Sequence, residues 1–276
     1  MVLTTTDKID DFFRKHILTD YPKSHIFTVG YELYSAGHHD LAADACLRGA
    51  KNNGCVACMY LYVRLKRSTI HLVLPWLLEA AIRGHIGCML LLIEQCYGKS
   101  EPLRARALQS FWAKTMNEVD DTVNYEERRK EIKKKHLNMC ANCGKKDTED
   151  RTFEKCGKCK AYSYCSKGCQ RKQWNDKHMN ECRQVMILKE YYKPRYAREI
   201  REAIIRGDDS KNIDRLQTLR TQLGLTRPKE EYEELLLIRS SNTSESGDNN
   251  RTNNPYEYLV ARRDGTVHIG STSNVI

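Results

Sequence analysis

Long apolar stretches are missing from this chain of 276 residues. The longest, around Ile86 to Ile93, falls well short of the roughly 20 residues a helix needs to cross a bilayer, so no membrane association is expected. The first 20 residues mix Asp, Lys, Arg and Thr with no apolar core segment, and no secretory leader is expected either. Signatures of the form G-x-S-x-G, the Walker loop, H-E-x-x-H and G-x-G-x-x-G are also absent. Their absence removes the usual sequence marks of a nucleophilic serine, a phosphate cradle, a catalytic zinc and a dinucleotide site. No enzymatic activity is expected. The expected compartment is intracellular, cytoplasm or nucleus, where clustered cysteines hold metal more readily than each other.

Cysteine is the residue in excess. Seven of the 12 lie between Cys140 and Cys182, and the other five (Cys46, Cys55, Cys58, Cys88 and Cys96) are scattered through the N-terminal part. The formal charge of +10 would suit an acidic partner. Seven thiolates on two Zn²⁺ would reduce it to about +7, so the chain stays basic.

The expected fold class is mainly α. Residues 1–25 read as an N-terminal helical segment, and 26–119 are rich in Ala, Leu and Tyr at helical period. Within that stretch Ala50-x3-Gly54-x3-Cys58-Met59 lines up with Ala80-x3-Gly84-x3-Cys88-Met89, thirty residues later. Small residues at such places let helices approach closely, and a glycine can end one helix and turn into the next. Tyr31, Tyr34, Gly37, Ala42 to Ala50, Gly54 and Ala57 resemble a SEL-type, TPR-like helical repeat, whose units stack because none buries its apolar face alone. Residues 120–139 read as a charged connecting helix, acidic first and basic last, in keeping with the helix dipole. After residue 182, Gln184 to Arg206, Ser210 to Leu223 and Lys229 to Ile238 read as three helices within a helical region 183–239, with Gly207 stopping the first. Residues 240–255 have the composition of a disordered linker. The tail, 256–276, reads as a β-hairpin turning at Arg263-Asp264-Gly265.

Between these helical parts lie eight candidate metal ligands in four pairs: Cys140-x2-Cys143, Cys156-x2-Cys159, Cys165-x3-Cys169 and His178-x3-Cys182. A Cys-x2-Cys loop presents two sulfurs to one ion, and an x3 pair does so from successive helical turns. Eight ligands suffice for two closed tetrahedral sites with no position left for water, so the metals would be structural. A segment of 43 residues has little core of its own. Two Zn²⁺ ions would supply much of its folding free energy, about 10 kcal/mol or more each. Spacing alone admits either sequential or interleaved pairing.

The residues between the ligands narrow the reading. Tyr162-Ser163-Tyr164-Cys165-Ser166-x2-Cys169-Gln170-x3-Trp174-x3-His178-x3-Cys182 resembles the MYND finger, and the resemblance covers all of 140–182. It implies a cross-braced fold. Cys140, Cys143, Cys165 and Cys169 would hold the first zinc, and Cys156, Cys159, His178 and Cys182 the second. The eight residues between Cys169 and His178 are one more than in the tightest family form. The resemblance also implies protein–protein interaction, with a proline-containing peptide of Pro-x-Leu-x-Pro type lying beside the strand Tyr162, Ser163 and Tyr164, against Gln170 and Trp174. The expected function is thus a zinc-binding adaptor or scaffold.

The alternatives differ in class. A nucleic-acid-associated role would use the basic segment and Lys145, Lys146, Lys158 and Lys160, and would weaken steeply with salt. A SET-type methyltransferase would need an Asn-His-Ser-Cys-type signature and a glycine-rich loop, neither of which occurs. A ubiquitin-ligase-like role needs no catalytic residue. Cys55-x2-Cys58 looks like a redox or metal pair, but Cys58 shares the repeat position of Cys88, so both read as small buried residues, as do Cys46 and Cys96.

Overall fold

The computed structural model describes residues 21–66, 70–97, 105–119, 139–146 and 153–226, with Glu127, Lys130 and the strand residues 260–261 and 267–268. The expected features at 1–20, most of 120–139, Lys229 to Ile238 and the linker lie outside the described residues.

Helices dominate. In the N-terminal half they are α1 (His25–Ser35), α2 (His39–Asn53), α3 (Val56–Leu65), α4 (Ile70–Ile82), α5 (Ile86–Leu91) with a π-helical continuation Leu92–Cys96, and α6 (Arg106–Val119). Successive helices pack on one another. Ser24 caps α1 by accepting the Phe27 N–H at 3.2 Å. Gly54 and Gly84 follow α2 and α4 with φ of +61° and +85°, the left-handed conformation that glycine adopts without steric cost. The two aligned segments occupy equivalent places. Ala50 and Ala80 sit near a helix end, and Cys58 and Cys88 are each the third residue of the next helix.

Close approach explains the small residues. A Cβ on Gly49 would stand 2.4 Å from the Cys58 sulfur, and one on Gly30 would stand 2.8 Å from that of Cys46. Cys46 and Cys58 therefore act as compact apolar side chains facing glycine. Cys46, Cys55, Cys58, Cys88 and Cys96 are all buried. A hydrogen bond with Cys46, together with burial, pushes the Cys58 thiol up to about 12, so it is a poor nucleophile.

The C-terminal half contributes α7 (Lys167–Gln173), a π-helical turn (Trp174–His178), α8 (Met179–Tyr191), α9 (Pro194–Arg206), a 3₁₀ turn (Ser210–Asn212) and α10 (Asp214–Gln222). One helix was expected from Gln184 to Arg206; the structure breaks it. Proline lacks an N–H and forces its predecessor out of the helical region, so Lys193 is extended (ψ 154°) and Pro194 opens a new helix at its first position. Gly207 ends α9 in the left-handed conformation, as its position suggested. No helix boundary falls at residue 183, because α8 runs through it from Met179.

Among the described residues two small antiparallel strand pairs accompany the helices. Strands β1 (Glu154–Lys155) and β2 (Ser163–Tyr164) pair Glu154 with Tyr164 and Lys155 with Ser163. Strands β3 (Val260–Ala261) and β4 (Val267–His268) pair antiparallel as a tail hairpin requires, the expected turn at Arg263-Asp264-Gly265 lying outside the described residues, and β3 lies alongside α8.

One core joins the halves. Trp112 of α6 is fully buried, its ring 5.9 Å from that of Tyr192, whose hydroxyl donates to the Ala81 carbonyl at 3.1 Å. Arg201 of α9 donates to the Gly84 carbonyl and to the Tyr21 hydroxyl, both at 2.8 Å. Buried Tyr162, Tyr164, Cys156 and Cys182 belong to the same apolar cluster as Leu108 and Trp112. The cysteine-rich segment is thus packed into the helical body.

Candidate metal centres

Two similar loops begin the site. In the first, Gly144 has φ +70° and its N–H donates to the Cys140 carbonyl at 3.0 Å. In the second, Lys160 has φ +58° and its N–H donates to the Cys156 carbonyl at 3.0 Å. Each loop turns the chain so that two sulfurs three residues apart face one point. Among the described residues Lys160 is the one non-glycine residue with positive φ, so this turn carries backbone strain.

The loops are tied through β2. The Ala141 N–H donates to the Ser163 carbonyl at 2.9 Å on one edge, while β1 pairs along the other. The remaining candidates come from helices. Cys165 precedes α7, Ser166 caps it by accepting the Cys169 N–H at 3.2 Å, and Cys169 lies within its first turn. The π turn then takes up the long spacing between Cys169 and His178. One widened turn absorbs a residue, and His178 and Cys182 emerge on one helical face.

Two four-donor clusters result. The sulfurs of Cys140, Cys143, Cys165 and Cys169 lie within 4.8 Å of one another, and so do the donor atoms of Cys156, Cys159, His178 and Cys182. The first is partly open, with Cys143 exposed; every member of the second is buried. Cys143 to Cys165 and Cys165 to Cys169 are both 3.6 Å, and Cys156 to Cys182 is 4.0 Å between sulfurs. His178 Nε2 lies 3.3 Å from the Cys156 sulfur and 3.4 Å from that of Cys159. A tetrahedron with Zn–S near 2.3 Å and Zn–N near 2.0–2.1 Å places sulfurs about 3.8 Å apart and sulfur and nitrogen about 3.5 Å apart. The donor sets fit zinc in type and in size. Soft S₄ and S₃N sets disfavour magnesium and calcium, which take oxygen ligands.

The electrostatics agree with that fit. Burial opposes ionisation of Cys140, yet backbone N–H groups of Cys143, Cys165 and Asn142 directed at its sulfur bring the thiol down to about 6. In each cluster the thiols share protons unevenly. Cys165 is pushed up to about 12 by its hydrogen bond with Cys169, and Cys159 up to about 12 by Cys182, while Asn142 lowers Cys169 and Cys159 lowers Cys182. Four crowded thiols cannot all ionise without a cation, and a dication relieves the repulsion.

Around His178 lies a network that the ligand spacing does not reveal. Glu181, one helical turn on, is buried. Its Oε1 accepts the N–H groups of Ala107 at 2.6 Å and Leu108 at 3.2 Å, the unpaired donors at the start of α6. Its Oε2 accepts the Tyr162 hydroxyl at 2.6 Å and stands 3.6 Å from His178 Nδ1, which has no hydrogen-bond partner among the described residues. The Tyr162 hydroxyl in turn accepts the Arg106 N–H at 3.0 Å. Glu181 therefore joins the second cluster to the helical body. Its position between His178 and Cys182 on one helix was the available signal.

Of the five expected peptide contacts, only two reach the surface. Tyr162, Ser163 and Tyr164 are 3 %, 1 % and 1 % exposed. Gln170 and Trp174 are half-buried. The indole of Trp174 lies edge-on to the His178 ring at 5.5 Å, and the Lys158 ammonium stands 5.8 Å from its centre.

The comparisons with known proteins meet this site. Residues 140–182 match the MYND finger family model. Two zinc ions are therefore the cofactor of this segment, one for each donor cluster. The finger is a non-catalytic, zinc-binding protein-interaction domain. A curated relative, F-box protein At5g50450 of Arabidopsis thaliana, is 42 % identical over 48 residues, which cover 17 % of this chain and 14 % of that protein. The chain thus spans about a seventh of that relative. No solved structure matches. Among the described residues no helix is long and apolar enough to cross a membrane.

Proposed function

We propose that the protein is a non-enzymatic adaptor whose MYND finger binds an extended, proline-containing peptide of a partner protein. The ligands are Cys140, Cys143, Cys165 and Cys169 for the first zinc and Cys156, Cys159, His178 and Cys182 for the second. The observation that carries the reading is that each cluster offers four donors of one tetrahedron, leaving no position for a reacting water. Zinc then holds the fold, and the exposed chemistry lies beside it. Gln170 and the indole of Trp174 form the contact surface, with the Lys158 ammonium over the ring. Tyr162, Ser163 and Tyr164 support that surface from beneath. One edge of β2 pairs with β1 and the other is engaged at Ser163 by the Ala141 N–H, so the peptide meets side chains there more than the β2 backbone. An aromatic face suits proline rings, which enter already extended. The helical body, read as SEL-type repeats, holds the finger and presents a second surface.

The test uses the full zinc-loaded chain on an array of Pro-x-Leu-x-Pro peptides. Trp174→Ala should weaken binding at least tenfold while the metal content stays at two zinc per chain. Peptide binding indifferent to Trp174→Ala and to a chelator would overturn the proposal, and so would one zinc per chain.

A further inference from the structure

The seam between the N-terminal helices and α9 and α10 contains a cavity of about 560 Å³, remote in sequence from the finger. Its floor is a charge cluster. Glu79 is 1 % exposed and Arg83 3 % exposed. Arg83 Nη1 donates to the Glu79 carbonyl at 2.9 Å and to the Glu79 carboxylate. Arg220 Nε donates to both oxygens of the same carboxylate at 3.1 Å. Two guanidiniums thus share one carboxylate, and the buried Arg83 Nε has no hydrogen-bond partner among the described residues. A buried lysine could relieve such an excess by losing its proton. Arginine cannot, so the cavity keeps its positive charge and favours an anionic group within it.

The rim repeats the sign. Lys23 and Lys211 line the opening, and their ammonium groups have no partner among the described residues. The two acids that also line it are engaged: Asp208 with Arg206 at 2.7 Å, and Asp209 in accepting the Lys211 N–H at 2.9 Å. Trp76, Met59 and Val56 supply an apolar wall, and the Asn52 and Asn53 side chains stand at the mouth.

We propose that this cavity binds an acidic peptide segment of a partner protein. A carboxylate side chain reaches the guanidinium floor, matching the planar fork of arginine. An apolar neighbour lies against Trp76, and the amides at the mouth meet the peptide backbone. This gives the adaptor its second surface and is independent of the finger's peptide site.

The experiment is fluorescence anisotropy of the full zinc-loaded chain with a fluorescein-labelled peptide of alternating Glu and Leu, amidated at its C-terminus. Its Gln counterpart, free glutamate and inorganic phosphate serve as comparisons. The Glu peptide should bind, the Gln peptide should not, and neither small anion should displace it at equal concentration. The exposed double charge reversal Lys23→Glu with Lys211→Glu should weaken binding at least tenfold, and Arg220→Gln likewise, with unfolding midpoints unchanged for the double variant. Binding of the proline peptide should be unaffected in the double variant, which separates this site from the finger. Absence of Glu-peptide binding, equal affinity in the double variant, or displacement by glutamate or phosphate would overturn the proposal, the last by making a small anion the occupant.

Discussion

Glu181→Gln is the most informative single change to this protein. The carboxylate takes two N–H groups at the start of α6 on one oxygen and the Tyr162 hydroxyl on the other, which also stands 3.6 Å from His178 Nδ1. An amide keeps one oxygen. If that oxygen stays on α6, the new NH₂ group confronts the Tyr162 hydroxyl and His178 Nδ1, both as donors; if it turns to them, the NH₂ group confronts two backbone donors. Hydrogen bonds to a charged group contribute about 1.5–3 kcal/mol each, and an anion at a helix N-terminus about 0.3–1 kcal/mol. Some bonds survive in weakened form, so a loss of about 2–4 kcal/mol is expected, read from urea unfolding of the zinc-loaded chain. Partners that orient a metal-ligating histidine typically change metal affinity about 10–100-fold. Competition with a chromophoric chelator should accordingly show one zinc released more readily and the other as in the wild type. Unfolding within about 0.5 kcal/mol of wild type, with both ions released at wild-type rates, would refute the coupling.

Two other outcomes follow from single residues. Lys160→Gly should stabilise the chain by about 0.5–1 kcal/mol in the same unfolding assay, because a non-glycine residue there is held at φ +58°. His85 is held down to about 3 by complete burial, and by Arg201 nearby, while its Nδ1 accepts the Cys88 N–H at 3.2 Å. The unfolded chain takes up that proton near its ordinary value of 6.5, so the stabilisation is complete above about 6.5 and is lost as pH falls toward 3. His85→Asn keeps an acceptor for Cys88 without titrating. Between pH 6 and 5 the wild type should lose about 1 kcal/mol more stability than this variant, and parallel pH profiles would contradict the account.

Local chemistry made much of this structure readable from its residues. The ligand pairs announce themselves by spacing, Gly54, Gly84 and Gly207 mark helix ends, and the helix period of 26–119 gives the class of fold. Pro194 also carried its signal, and the break before α9 is the ordinary consequence of a proline. Other features depend on residues far apart in the chain. Glu181 meets Ala107 across 74 positions, and Arg220 meets Glu79 across 141, so neither contact leaves a local pattern. Tyr162 and Tyr164 look like an exposed aromatic strand in sequence. They are buried because their faces pack into the same core as α6, a fact of tertiary packing that alternation within three residues cannot encode.

The widened turn at Trp174–His178 separates two quantities that a spacing pattern merges: how many residues lie between ligands, and at what angle they leave the helix axis. Zinc responds only to the second. By holding the surplus residue in one turn, the helix delivers His178, Glu181, Cys182 and Tyr192 in a single rotational phase, so cluster, strut and core remain in step. Length at this point is a free variable of the finger, and angle is not.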